Sequence, residues 1–155
     1  MILAHKIQLN PNKVQRNMLA RAAGCARFSY NWALAEWKKQ YEAGEKPSAL
    51  KLKKQFNCIK EQEFPWIYHS PKDANQQPFA NLQKAFKGFF DRRGAYPQFK
   101  KKYKNDSFYV SNDQFCIDHN IIKLPRIGKM KMTENLRFEG KIMSGTVSRK
   151  ADKWF

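Results

Sequence analysis

Between Arg92 and Lys104 the chain carries six lysines or arginines and no acid, interleaved with Tyr96 and Phe99. Cations at that density can neutralise phosphates, and the two rings can stack on bases. Gly94 and Pro97 punctuate the run and turn the backbone away from a helix. Arg92, Arg93, Tyr96, Phe99, Lys100, Lys101 and Lys102 are therefore candidates for contact with a nucleic-acid backbone. The bland alternative is a solvated basic linker. A second candidate, Arg27, lies one helical turn before Asn31, and the pair could face a phosphate or base; such residues also commonly bridge neighbouring helices.

The rest of the composition favours the first alternative. Thirty lysines and arginines against thirteen acids leave a net charge of +17 in 155 residues. A field of that size attracts polyanions, of which nucleic acid is the commonest. The basic residues are spread over the whole chain, which does not describe one amphipathic membrane anchor. Twelve phenylalanines and four tryptophans can fill a core, so disorder throughout is excluded. Cys25, Cys58 and Cys116 are odd in number and far apart, and His5, His69 and His119 form no ligand-spaced group. Neither a disulfide framework nor a zinc site is expected. His5 and Lys6 arrive too early for a signal peptide, and no apolar run is long enough to span a membrane. A cytosolic or nucleoid-associated protein is the expectation.

The elements that must position these residues change character at the basic run. Ile2 to Leu9 alternates loosely and reads as a strand. Asn10-Pro11 opens a helix with Val14, Met18, Leu19 and Ala22 at helical spacing, and Gly24 breaks or bends it. A second helix follows from Cys25 to Tyr41, so the pair resembles a helix-turn-helix, as two ordinary packed helices also would. Pro47-Ser48 starts a third helix, with Leu50, Leu52, Phe56 and Ile59 as its apolar positions. Ser70-Pro71-Lys72-Asp73 reads as a capped start to a fourth, with Ser70 as N-cap and a kink expected at Pro78. Its exposed first turns carry Lys72, Asn75 and Gln76, while Phe79, Leu82, Phe86 and their neighbours form a core stripe. Beyond Lys104 the period becomes that of strands: 107–110, 115–117, 121–124, 129–132 and 141–149, separated by turn-forming residues. Ala151-Asp152 makes a last turn into Lys153-Trp154-Phe155, a second hairpin arm so short that the chain looks like a piece of something longer. The expected class is α+β, a helical bundle inserted into a small, incomplete β-barrel.

Five blocks occur in order: 24–34 (GCARFSYNWAL), 85–90 (AFKGFF), 96–102 (YPQFKKK), 123–128 (KLPRIG), and 140–149, which opens GKI and closes TVSR. Together they resemble the N-terminal region of the OrfB/TnpB family of insertion-sequence proteins, RNA-guided nucleases of transposons related to type V CRISPR effectors. The resemblance implies a wedge-like β part from 1–10 and 105–155, and an inserted recognition domain at 11–104. It implies two partners, a guide RNA derived from the transposon end and a duplex carrying a short adjacent motif. Family motif-reading positions fall on Lys72, Gln76, Ser111 and Asn112, whose side chains suit base edges. The family's nuclease is a RuvC-like domain with three carboxylates and two metal ions, accompanied by a cysteine-rich zinc element. Neither occurs in these residues, so no catalytic residue, metal or cofactor is expected here beyond the guide RNA. Two other readings stay open: a stand-alone helix-turn-helix regulator or decoy, and a transposon remnant that binds polyanions without preference.

Overall fold

A computed structural model describes all residues 1–155. Three helices lie between a short first strand and a run of six further strands. In order they are β1 (Leu9–Asn10), α1 (Lys13–Glu42), α2 (Ala49–Glu63), a 3-10 turn (Pro65–His69), α3 (Lys72–Phe90), β2 (Ser107–Ser111), β3 (Cys116–Asp118), β4 (Ile121–Leu124), β5 (Gly128–Met132), β6 (Ser144–Lys150) and β7 (Lys153–Trp154). The fold is α+β.

α1 starts two residues later than Asn10-Pro11 suggests, on a reciprocal cap. Asn12 Oδ1 accepts from the Gln15 amide at 2.8 Å, and Gln15 Oε1 accepts from the Asn12 amide at 3.0 Å. The helix then runs unbroken for 30 residues, with Gly24 inside it. No turn forms there, and the expected pair of helices at 11–22 and 25–41 is one. A helical glycine costs only about 1 kcal/mol. The apolar stripe of Leu19, Ala22, Ala23, Tyr30, Ala33 and Leu34 continues across it and is buried, and this packing outweighs so small a local preference.

α3 also begins differently. Pro71, not Ser70, occupies the cap position and provides no side-chain cap. Ser70 is buried and closes the 3-10 turn, its amide donating to the Ile67 carbonyl at 3.2 Å. The helix runs through Pro78 to Phe90 and buries Ala74, Phe79, Leu82 and Phe86. At its end Arg92 adopts φ +58. The Arg93 amide reaches the Gly88 carbonyl at 2.8 Å and the Arg92 amide reaches Phe89 at 3.0 Å, the bonding of a Schellman motif. The left-handed residue that ends α3 is thus Arg92 rather than Gly94.

The strands form two antiparallel sheets, β1-β5-β4-β3 and β2-β6-β7. Turn chemistry sets the two hairpins with two-residue loops. His119 has φ +54 between β3 and β4, while Ala151 and Asp152 have φ +51 and +62 between β6 and β7, the primed geometry that matches strand twist. Period-two burial follows: Ile122, Leu124, Met130 and Met132 face inward. The expected first strand shrinks to two residues, because β5 pairs only with Leu9 and Asn10. Ile2 and Leu3 are exposed. β6 begins at Ser144, three residues after the alternating segment does. The sheets approach each other where β7 lies against β1, but they do not close into a barrel. One apolar cluster runs from Leu19 and Phe86 of the helices to Val110, Met130 and Trp154 of the strands, so helices and sheets share a core.

Candidate nucleic-acid interface

Lys72 and Gln76 are one turn apart at the start of α3, and Ser111 ends β2 with Asn112 in the turn that follows. Asp73 joins the two. Its Oδ2 accepts from the Ser111 amide at 2.9 Å and from the Ser111 hydroxyl at 2.7 Å. The hydroxyl also lies 2.8 Å from Asp113 Oδ1, so its single hydrogen is shared between two carboxylates. Hydrogen bonds from Ser111 and Gln114 hold the Asp113 carboxyl below its usual range, with a small further contribution from the Lys72 charge. Lys72 and Asn112 are exposed, and Ser111 is half-buried. The start of α3 and the end of β2, far apart in sequence, thus meet at Asp73 and Ser111.

Gln76 is less free. Its Nε2 donates to Asn57 Oδ1 at 2.8 Å, and Asn57 Nδ2 returns a bond to Gln76 Oε1 at 3.2 Å. Gln76 also touches Asn75 Oδ1, which accepts from Lys60 Nζ at 3.4 Å. Burial lowers the pKa of that lysine. Both ends of the Gln76 amide are therefore occupied by α2 and by Asn75, and pairing with an adenine edge requires exchanging those bonds. Nothing in the sequence marks Asn57 as this partner.

The basic run is held by its backbone. Asn31 of α1 grips Lys100, donating from Nδ2 to the Lys100 carbonyl at 3.0 Å and accepting from the Lys100 amide at 2.8 Å. The side-chain amide completes both main-chain groups of an otherwise unpaired residue. Tyr96 does not stand free for stacking: it packs edge-on against Phe86 and Phe89 at 5.5 and 5.1 Å. Phe99 is 47% exposed, with Lys38 Nζ 4.7 Å from its ring centre. Lys100 Nζ sits 4.6 Å over the Tyr30 ring, while Arg92, Lys101 and Lys102 are exposed. Arg93 is exposed too and pairs with Asp91 at 2.9 Å.

Arg27 has a different occupation. Its Nη1 lies 3.2 Å from Oδ1 of Asp106, a buried carboxylate whose other oxygen is held by Arg149 of β6. The Arg149 guanidinium stacks in turn near Tyr103 and Trp154. One buried acid thus ties α1 to β6 at the end of the basic run, and a phosphate reaching Arg27 must compete with it. Beside this pair lies a cleft of about 150 Å³ between α1, α3 and β2, lined by Tyr30, Gln77, Asn81, Lys100 and Lys104 among others. Gln77 and Asn81 were not singled out in the sequence, although their four-residue spacing on α3 is legible there. No three His, Cys, Asp or Glu side chains gather to hold a metal ion.

The strongly basic run and the exposed polar groups at the corner of α3 and β2 suit a nucleic-acid-binding protein, and comparison with known proteins gives the class. Residues 1–46 match the helix-turn-helix domain of the OrfB proteins of IS605-type elements. In this chain those residues hold β1 and the single helix α1, without an internal turn. InsQ of Escherichia coli K12, provisionally named an RNA-guided DNA endonuclease, is 34% identical over 98% of the chain and 39% of its own length. A625R of Paramecium bursaria Chlorella virus 1, provisionally named a transposase, is 27% identical over 88% of the chain and 35% of its own. Rv2885c of Mycobacterium tuberculosis H37Rv, also provisionally an RNA-guided DNA endonuclease, is 26% identical over the same shares. The chain belongs to the OrfB/TnpB family and corresponds to its N-terminal region. It spans less than two fifths of the length of these relatives.

Proposed function

We propose that these residues form the nucleic-acid-binding, non-catalytic part of a transposon-encoded RNA-guided endonuclease. They hold a guide RNA through the basic run and read a short transposon-adjacent motif on duplex DNA with Lys72, Gln76, Ser111 and Asn112. The observation that carries this reading is the Asp73–Ser111 link, which unites two elements whose exposed side chains suit base edges. The exposed cations from Arg92 to Lys102 supply charge without sequence preference. Cutting is not assigned to these residues.

One observation favours a rival, polyanion binding without preference: the Gln76 amide is already spent on Asn57. A titration at about 0.2 M salt separates the two, since non-specific contacts weaken steeply there. The panel is a synthetic duplex with a short randomised window, with and without RNA transcribed from the transposon end. The expected result is enrichment of one motif, strengthened by the RNA and lost on Gln76→Ala with Asn112→Ala. Uniform binding that disappears with salt and ignores those substitutions supports the rival.

A further inference from the structure

The Asp73–Ser111 contact does more than hold two elements together; it fixes which way the Ser111 hydroxyl is polarised. A serine hydroxyl has one hydrogen and two lone pairs. Here the hydrogen has two acceptors at hand, Asp73 Oδ2 at 2.7 Å and Asp113 Oδ1 at 2.8 Å. The Ser111 amide is committed as well, to the same Asp73 oxygen at 2.9 Å. What remains for a ligand at Ser111 is lone-pair density alone. An unconstrained serine can rotate its hydrogen to suit any base, which is why serine discriminates weakly. This one cannot do so without giving up a charge-assisted bond.

We propose that Asp73 is a positioning residue that makes Ser111 an acceptor-only reader, selecting a base that presents an amino group, adenine or cytosine, over guanine or thymine on the contacted strand. This inference rests on the motif-reading function proposed above. In the major groove adenine N6 and cytosine N4 carry hydrogens, whereas guanine O6 and thymine O4 are acceptors that meet the serine lone pairs unfavourably. The link spans 38 residues, from the first turn of α3 to the last residue of β2. The same carboxylate therefore sets both the place of the reader and its polarity. Asp113, exposed and 2.8 Å from the hydroxyl, with its carboxyl held below the usual range, reinforces the preference for a donor.

The test is selection from the randomised duplex window by the full chain, comparing the unaltered protein with Ser111→Ala, with Asp113→Ala, and with Asp73→Ala and Asp113→Ala combined. The combined variant removes both acceptors of the serine hydrogen, so the hydroxyl can turn it outward to a base. The unaltered protein should show one motif position restricted to adenine or cytosine by roughly tenfold, the worth of one well-made hydrogen bond. Asp113→Ala alone, which leaves Asp73 in place, should keep that restriction, and the combined variant should admit guanine or thymine at that position alone. Ser111→Ala, which keeps the backbone link, should flatten it, leaving the other positions intact. A merely structural role for Asp73 would weaken all positions together and shift none. A motif without an amino-base position, or one that the combined variant leaves restricted, overturns the inference while leaving motif reading in place. A panel with no motif at all overturns both.

Discussion

The two surfaces this chain offers to a polyanion are built on opposite plans. Along the basic run the side chains are exposed and the backbone is held, by Asn31 gripping Lys100 and by the Schellman bonds that end α3. At the corner of α3 and β2 the side chains themselves are held, Ser111 by Asp73 and Gln76 by Asn57. Exposed cations on a fixed backbone suit phosphates, whose charge is diffuse and whose positions vary. Cross-tied polar groups suit base edges, where direction decides the outcome. In the proposed function, charge belongs to one surface and discrimination to the other.

Both surfaces depend on Asp106, which gives the largest predicted effect. Its carboxylate is buried between Arg27 and Arg149, whose side chains are themselves mostly covered. Asp106→Ala leaves two cations without a partner, and breaking such a pair from one side costs about 3 kcal/mol or more. Denaturant unfolding should show that loss at an unchanged m-value. A loss below about 1 kcal/mol would mean that water already relieves the arginines, and that the two surfaces are not joined here.

The comparison predicts opposite signatures for the two sets of substitutions. Replacing Lys100, Lys101 and Lys102 together by alanine should weaken every duplex and RNA alike. It should also flatten the log–log salt dependence by about 2 to 3, as expected for three lost phosphate contacts. Preference among sequences should not move. If it does, the basic run is reading bases and the division of labour fails.

Asn31→Ala tests the fixed backbone directly. It removes two bonds to Lys100 and leaves its amide and carbonyl to water, which lowers the cost of opening this segment locally by about 1 to 2 kcal/mol. The Lys100 amide should exchange its hydrogen faster, with little change in Tm, because the segment is peripheral to the core. Asn57→Ala tests the held side chains and should cost about 1 kcal/mol of stability. It frees the Gln76 side-chain oxygen and the amide hydrogen given to Asn57, while Nε2 keeps its contact with Asn75. Motif affinity should then rise a few-fold, while binding to random duplex stays unchanged. A fall in motif affinity would show that Asn57 presents Gln76 rather than competing with the base.

How far the sequence foretold these surfaces depends on the range of the interactions. The hairpins of the β part were legible because their turns and their alternation are local. The break expected at Gly24 was not made, since a penalty of about 1 kcal/mol loses to a buried stripe that only tertiary packing reveals. The strand expected over 2–9 needed a partner, and β5 supplies only two residues of one. In the site the cations could be counted from the sequence, but their employment could not. Arg27 meets its acid 79 residues away, Asn31 its backbone 69 away, and Asp73 its serine 38 away. Tyr96 resembled a stacking ring because aromatic packing and base stacking use the same residue.

The smallest effect separates the shared core from the surfaces laid over it. Cys25 lies in the buried stripe of α1, whereas Cys58 on α2 and Cys116 on the edge strand β3 are exposed. Burial pushes the Cys25 thiol up to about 12 from its ordinary 9.0, against a weaker lowering by Ser29. The thiolate is the reactive form, and a buried thiol is also out of reach. At pH 8 a disulfide reagent should therefore titrate two thiols quickly and the third only as fast as the fold opens. Since the folded state prefers the protonated thiol, this group's contribution to stability is complete below pH 9 and is lost as pH rises from 9 toward 12. Reaction of the third thiol should therefore accelerate through that window. Cys25→Ala should remove the slow phase and leave binding unchanged on both surfaces. Equal reactivity of all three thiols at pH 8 would mean that α1 opens readily at its centre, and with it the core on which both surfaces rest.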